Sequence, residues 1–570
     1  MELKDNIELP DQGDNIIRTK DLDIGVNPGG LGNEIFIHLK QHSTESIAQI
    51  EAETGETDNY GNLLSRIIRV ALHLKARGVQ PGDARGVQPG DVIAPCTSNH
   101  FDSIVVFIAP LLLGAKVACF DPNALHADMK ALIQLVKPKV MFAEGCAAEN
   151  LEKIKEELNL DMEIVIFGPT DKQTPFGEFL EPFPKDKEDG FEPYQVNDLF
   201  ETAIIAFSSG STGTSKGLCM HHFGILSQLG KMSKRKRAPI GIMYSPLAWV
   251  SGQVFPIVHI LTGTARLICS KFTPEKTLRY LNKYPAVTLS LPPQDAMLML
   301  KHGNPEKVES PYLQVVMIAG GKIIFVGAMA ALGKIFSKPV LVVCPYGQSE
   351  IYGPAFSLEP QVFMANPSCV GKPIQGFTYK IVDPITDKIC GPNEQGELCI
   401  KSRFCMSGYY NLDSSDRFDS DGFLKTGDVA YYDEDHRFYI VERLGERLKY
   451  KSQWIPPALL EAYYDEDHRF YIVERLGERL KYKSQWIPPA LLEGILYEHP
   501  AVKVASIIGV VSDDGDIATA VVVKNAEVSE EELVKLVNDR VDDIKKLRGG
   551  VIFVEDSFIP YEEELFLWKT

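Results

Sequence analysis

Residues Ala430 to Glu461 recur without a single change as Ala462 to Glu493, a period of 32 residues. Two identical segments cannot fill one place in a fold, so part of each copy must find different surroundings. Structural repeats drift because each unit packs against different neighbours, and a solenoid needs more than two of them. Perfect identity in two copies therefore points to a recent duplication of the coding sequence, or an error in its assembly. A shorter block, Ala-Arg-Gly-Val-Gln-Pro-Gly-Asp, fills 76–83 and again 84–91. It adds one Pro-Gly-Asp turn, which a surface loop absorbs at roughly 0.6 kcal/mol per doubling of loop length. The long block is more disruptive: it carries a hairpin-like stretch (Ala430 to Val441), a charged Glu442-Arg443 junction and a short basic strand.

Outside the repeats, helical and strand patterns alternate. Leu63, Leu64, Ile67, Ile68, Ala71 and Leu72 recur at helical spacing between Tyr60 and Gly78, before the strand-like Val92-Ile-Ala-Pro-Cys. The alternation returns at Ile104–Leu113 with Ala115–Phe120, and at Ala131–Val136 with Val140–Ala143. Such alternation predicts an α/β architecture around parallel sheets. An acidic stretch, Lys172 to Asp198, leads into a second α/β run from Thr202 to about Pro345. Short strands and glycine turns between Cys369 and Asp428 predict a small β subdomain. Val502–Val511 and Ile517–Lys524 read as strands, and Ser529–Arg540 as a helix opened by a Ser529-Glu-Glu-Glu cap. The expected division is 1–441, a hinge region at 442–493 holding the duplication, and a small α+β unit at 494–570.

Composition narrows the function. Lys+Arg 59 against Asp+Glu 77 leaves a net charge of −18, which argues against a basic face for nucleic acid or anionic membrane. The most apolar stretch, Ser103 to Phe120, is broken by Pro110, Gly114 and Lys116, so it reads as core rather than a transmembrane span. The start, Met1-Glu-Leu-Lys-Asp, lacks a secretory pattern. Ten cysteines without a C-x-x-C spacing argue against structural zinc and a disulfide framework, and for a reducing compartment.

Ser208-Ser-Gly-Ser-Thr-Gly-Thr-Ser-Lys-Gly217 follows the apolar strand Ala203-Ile-Ile-Ala-Phe. Its glycines allow close backbone approach, its hydroxyls and amides can donate to phosphate oxygens, and Lys216 adds positive charge. A Walker A assignment fails, because Ser215 stands where the second glycine belongs and Gly217 where the magnesium-binding hydroxyl is required. Downstream, Val342-Val-Cys-Pro-Tyr-Gly-Gln-Ser-Glu350 ends a strand in a polar turn. Tyr346 there offers a flat face for a base, Ser349 a hydroxyl and Glu350 a hard oxygen for Mg²⁺. In Lys425-Thr-Gly-Asp428, the carboxylate suits either a turn cap or two ribose hydroxyls.

In order along the chain, the Ser208–Gly217 loop, Ala319-Gly-Gly, Tyr346-Gly-Gln-Ser-Glu350, Thr426-Gly-Asp428 and Glu442-Arg-Leu resemble the adenylate-forming (AMP-binding) superfamily. Nearest are the insect luciferases and coumarate–CoA-ligase-like acyl-CoA synthetases, with the resemblance running from about Ile47 to Val554. It implies a large N-terminal domain of two α/β subdomains plus a small β-barrel, and a small mobile α+β C-terminal domain. The implied chemistry is activation of a carboxylic acid, aromatic or fatty, by ATP and Mg²⁺ to acyl-AMP, then capture by CoA. By the same resemblance Ser208, Ser209, Gly210, Ser211, Thr212, Gly213 and Lys216 hold the phosphates, and Gly320, Gly321 and Tyr346 flank adenine. Gly347 and Ser349 line the nucleotide, Glu350 takes the metal, and Asp428 with Arg443 binds ribose. Lys449, or its duplicate Lys481, matches the lysine of the thiol-transfer step, and Trp249 matches an acyl-pocket wall or gate, or else a core tryptophan. His221 and His222 read as structural.

The resemblance breaks at the end of the chain. The superfamily's Pro-x-x-x-x-Gly-Lys signature, counted from Pro560, puts Leu565 and Phe566 where glycine and lysine belong. Losing such a charge-stabilising group costs roughly 10²–10³ in rate. The final Trp-Lys-Thr is not the peroxisomal address usual among these relatives, which leaves a peroxisomal or a cytoplasmic location open. Either Glu442-Arg443 or Glu474-Arg475 is the pivot, the spacing from Asp428 favouring Arg443. Three activities follow: an acyl-CoA synthetase, a luciferin-type monooxygenase using O₂, or an inactive nucleotide- or acyl-binding relative.

Overall fold

The computed structural model describes residues 7–8, 14–22, 25–77, 79–80, 83–84, 86–208, 216–233, 240–303, 310–319, 332–359, 362, 366, 368–444, 448–450, 453–455, 462–464, 470–472, 480–482, 485–487, 489–512, 515–541 and 543–554. It separates into two compact units, Met1–Val441 and Glu442–Thr570. Among the described residues no helix is long and apolar enough to cross a membrane.

In the first unit, helix α1 (Tyr60–Ala76) buries Leu63, Ile67, Ile68, Val70, Ala71 and Leu74 along one face. Asn59 caps it by accepting from the Asn62 backbone N–H at 2.8 Å. The first sheet comprises β1 (Val92–Cys96), β2 (Lys116–Ala118), β3 (Val140–Glu144), β4 (Glu163–Phe167), β5 (Thr174–Pro175), β6 (Thr202–Ser208) and β7 (Lys216–His221), in the order β5-β4-β3-β1-β2-β6-β7. All pairs are parallel except β6–β7, which is antiparallel. All five residues of β1 are buried, the mark of a strand covered on both faces. Helices α2 (Ser103–Leu111) and α3 (His126–Val136) complete the alternation expected there.

After α4 (His222–Ser233), a second parallel sheet runs β8 (Gly241–Met243), β9 (Thr288–Leu291), β10 (Val315–Ile318) and β11 (Leu341–Val343), with α5 (Val250–Thr262) between the first two. Its core around Ile242, Leu289, Val316 and Val342 is separate from the first. An eight-stranded sheet stands where the small β subdomain was expected. Its strands are β12 (Phe356–Ser357), β13 (Cys369–Pro373), β14 (Thr378–Val382), β15 (Gly396–Lys401), β16 (Leu424–Tyr432) and β17 (Phe438–Arg443). Two strands near the start of the chain extend it in the order Ile7–Glu8, Ile17–Thr19, β14, β15, β16, β17, β13, β12.

Both duplications are resolved in the same way. The first half of copy one supplies the end of β16 and all of β17, burying Tyr432 and Phe438. Its second half forms β18 (Leu448–Tyr450) and β19 (Gln453–Ile455), which pair only with each other among the described residues. The first half of copy two likewise forms an isolated pair, β20 (Ala462–Tyr464) and β21 (Phe470–Ile472). Its second half supplies β22 (Leu480–Tyr482), β23 (Gln485–Ile487) and the start of α6 (Pro489–Tyr497). These join β24 (Val502–Ser512), β25 (Gly515–Lys524) and β26 (Val551–Phe553) in a sheet of order β23-β22-β25-β24, with β26 paired to β25. Helix α7 (Glu530–Asn538) starts at Ser529, whose hydroxyl accepts from the Glu532 N–H as the cap pattern predicts.

In the short repeat, Arg77 of copy one ion-pairs with Glu163 and Glu178, and Val87 of copy two is buried, donating its N–H to the Leu74 carbonyl. Between them Val79–Gln80 and Asp83–Ala84 pair only with each other among the described residues.

Candidate nucleotide site

Strands β6 and β7 form a hairpin in which Ser208 stands opposite Lys216. The glycine–hydroxyl loop is therefore pinned at both ends and joins two strands, whereas a Walker A loop runs from strand into helix. Ser209, Gly210, Ser211, Thr212 and Gly213 lie outside the described residues, as do Gly320 and Gly321.

The outer edge of β7 carries the segment Ser407–Tyr410. Ser407 N–H donates to the Cys219 carbonyl at 3.0 Å, Cys219 N–H to Gly408 at 2.9 Å, and Tyr410 N–H to Gly217 at 2.7 Å. This pairing lays the Tyr409 ring beneath Lys216, whose Nζ is 4.6 Å from the ring centroid. A few residues on, the turn Ser415–Arg417 directs Arg417 Nη2 to within 3.3 Å of Glu350 Oε1, both side chains largely buried. Burial raises the Tyr409 phenol above its usual range, and both Arg417 and Glu350 act on it. Glu350 itself sits in the 3₁₀ turn Ser349–Ile351, which packs against β6 and β7 and is tied by Met406 N–H donating to the Glu350 carbonyl at 2.8 Å. Lys216 and Glu350 are thus gathered around one tyrosine.

Two residues earlier, Gln348 links this turn to Asp428 on β16. Asp428 is buried, and its Oδ2 accepts from Tyr346 Oη and from Gln348 Nε2, each at 2.6 Å. Thr426 Oγ1 accepts from the Asp428 N–H and donates to the Leu398 carbonyl, fixing the backbone beneath the carboxylate. Two buried polar atoms of this group, Gln348 Oε1 and Arg417 Nε, have no hydrogen-bond partner among the described residues. A donor beside Glu350 and Tyr409 matches a phosphate oxygen, and an acceptor beside Asp428 matches a hydroxyl, so the residues present suit a phosphorylated sugar. For a metal this turn offers Glu350, and among the described residues no cluster of three or more His, Cys, Asp or Glu side chains could hold an ion. A magnesium ion would depend chiefly on phosphate oxygens and water.

The other expected residues divide. Gly347 is exposed and Ser349 half-buried in the same turn. Arg443 closes β17, exposed, in the second unit. Lys449 lies in the isolated β18 and Lys481 in β22, their side chains outside the description. Trp249 precedes α5 and is 48% exposed, which removes the core-tryptophan alternative. His221 and His222 are structural: burial lowers His222 to about 4, so its neutral Nδ1 accepts from Leu31 N–H, while His221 Nε2 faces the Cys405 carbonyl at 3.0 Å. A cleft of about 400 Å³ lined by His100, Glu144, Phe167 and Phe176 includes neither Lys216 nor Glu350. Tyr409 and Arg417 were missed by sequence reasoning, and Gln348 was quoted without a role.

Comparison with known proteins agrees with this arrangement. The profile of a family described as AMP-binding enzyme matches residues 37–410, and that of the AMP-binding enzyme C-terminal domain matches 491–560. Luciferin 4-monooxygenase of Photuris pensylvanica is 27% identical over 554 residues, covering 93% of this chain and 92% of that protein. A probable 4-coumarate–CoA ligase of Dictyostelium discoideum is 25% identical over 524 residues, covering 86% and 85%. The solved structure of a luciferase-like enzyme from the nonluminescent mealworm Zophobas morio superposes with a TM-score of 0.68 at 30% identity, covering 75% of this chain and 99% of that one. With one profile spanning more than half of the sequence and a second lying in the C-terminal unit, the chain belongs to the AMP-binding enzymes, the adenylate-forming superfamily.

Proposed function

We propose that this protein activates a carboxylic acid, aromatic or fatty, with ATP and passes the acyl group to CoA. A carboxylate oxygen attacks the α-phosphorus, the bond to the bridging oxygen breaks and pyrophosphate leaves. The CoA sulfur, its proton lost to solvent, then attacks the acyl carbon, forming the thioester and releasing AMP. The observation that carries the reading is the gathering of Lys216, Glu350 and Arg417 around Tyr409, beside the Asp428–Tyr346–Gln348 group.

In-line displacement of this kind asks the protein mainly to position reactants and neutralise charge. Lys216 and Arg417 supply the cations for the phosphates, with the hydroxyls and amides of Ser208, Ser209, Gly210, Ser211, Thr212 and Gly213. Gly320, Gly321 and Tyr346 flank adenine, Ser349 and Gly347 line the phosphates, and Asp428 with Arg443 takes the ribose hydroxyls. Magnesium held through Glu350 would neutralise phosphate charge. Of the twin lysines, Lys481 stands in the sheet of the C-terminal unit and Lys449 in an isolated hairpin, which favours Lys481 for thiol transfer. Trp249, exposed ahead of α5, is the candidate wall of the acyl pocket.

The test is carboxylate-dependent exchange of labelled pyrophosphate into ATP across a panel of aromatic and fatty acids. At least one acid should support exchange, and Lys216→Met should lower it by roughly 10²–10³. The loss of the terminal lysine at Phe566 favours a second reading, a nucleotide-binding relative with weak adenylation. For that reason Phe566→Lys is run alongside and should raise exchange by roughly tenfold or more. Absence of exchange with every acid in both chains overturns the proposal.

A further inference from the structure

Because the repeats are identical, each of two docking places in this protein has two candidate occupants with the same side chains. In the eight-stranded sheet β17 comes from copy one, but Phe470–Arg475 of copy two carries the same sequence as Phe438–Arg443. In the C-terminal sheet β22 and β23 come from copy two, but β18 and β19 carry the same sequence and already form the same hairpin with the same register. Leu448 pairs with Ile455 as Leu480 does with Ile487.

We infer that the spare strands exchange with the docked ones, so that the protein interconverts between strand-exchanged isomers that differ in loop position and not in packing. The occupant's side-chain contacts are equal by identity, so only chain connectivity separates the isomers. Exchange at β17 turns the hairpin connection 433–437 into a loop of residues 433–469, which lowers its weight roughly twentyfold. Exchange at β22–β23 replaces the single residue between β23 and α6 with residues 456–488, a penalty of roughly a hundredfold or more. The observed arrangement is favoured because its extra residues fall in the chain after β17 and before β22, so that no turn within either sheet has to close around them.

Exchange also resets the tether. In the observed isomer residues 444–479 separate β17 from β22, whereas either exchanged isomer leaves only four, 476–479 or 444–447. By the −3/2 power dependence on linker length, the effective concentration of one unit at the other changes roughly thirtyfold. That consequence bears on catalysis only if the adenylation proposed above holds; the exchange itself does not depend on it.

Deleting 430–461 or 462–493 yields the same shorter polypeptide, which provides the control. Ile487 is 1% exposed in the C-terminal core. In the shortened chain, Ile487→Asp should unfold the C-terminal unit, read by limited proteolysis and urea titration. In the full chain the same substitution should leave that unit folded, with its unfolding equilibrium moved by about that exchange penalty and no further, because β18–β19 takes the vacated place. Adding Ile455→Asp to Ile487→Asp should then reproduce the loss seen in the shortened chain. Full unfolding by Ile487→Asp alone in the full chain, equal to that in the shortened one, overturns the inference.

Discussion

Phe438 and Phe470 occupy the same position in two copies of one 32-residue sequence, yet only Phe438 lies in a large sheet. It is fully buried, with ring centroids 4.9 Å from Phe356, 5.4 Å from Tyr379 and 5.5 Å from Tyr432. Phe470 belongs to a hairpin that meets no third strand among the described residues. Both copies form strands at matching positions, so the local sequence specifies extended pairs wherever it occurs. The copies differ in their partners: β17 pairs with β13, Phe438 opposite Gly371 and Tyr439 opposite Cys369, whereas β21 pairs with β20 alone among the described residues. Strand propensity is thus a fit to a neighbouring surface rather than a property of the segment.

The short repeat teaches the same lesson at smaller scale. Arg77 from its first copy and Val87 from its second are anchored, and the residues between them close a two-stranded excursion. In both duplications the fold keeps the start of copy one and the end of copy two, and the surplus collects at the junction.

That comparison can be broken by substitution. The largest effect belongs to Phe438→Ala in the chain shortened by one 32-residue copy, where loss of a fully buried ring should cost about 3–5 kcal/mol in chemical denaturation of the first unit. In the full chain the same change should cost only about 2 kcal/mol, the limit set by strand exchange with copy two. Phe470→Ala, which exists only in the full chain, should stay within about 0.5 kcal/mol of the parent there. If Phe438 and Phe470 prove equally sensitive, the copies are not distinguished by context as described. A smaller contrast sharpens the point at the short repeat: Val87→Ala should cost about 1–2 kcal/mol, whereas Val79→Ala should leave the denaturation midpoint within experimental scatter.

Much of the architecture was legible because it is written locally. The apolar spacing of α1, the strand-helix alternation around β1 to β3 and the Ser529 cap each lie within one short window of sequence. Lys216, Tyr346, Glu350 and Asp428 were legible for a related reason, each sitting in a short contiguous motif. Tyr409 and Arg417 were not, since nothing near them in the chain marks them. They reach the site only because Ser407–Tyr410 pairs with β7, a partner far back in the sequence. The fate of the duplicated strands was legible only through chain order: identical sequences do not say which copy docks, and only the distance from Asp428 favoured copy one at Arg443.

The central claim is that Lys216 and the Glu350–Arg417 pair face one phosphate-bearing ligand across Tyr409. A double-mutant cycle of Lys216→Met and Arg417→Met, read as ATP affinity by calorimetry in chains that keep the parent melting temperature, tests it directly. Each single change should weaken binding, and the pair should depart from additivity by at least about 0.5 kcal/mol, as neighbours sharing one ligand do. Undiminished ATP binding in the double variant would contradict it.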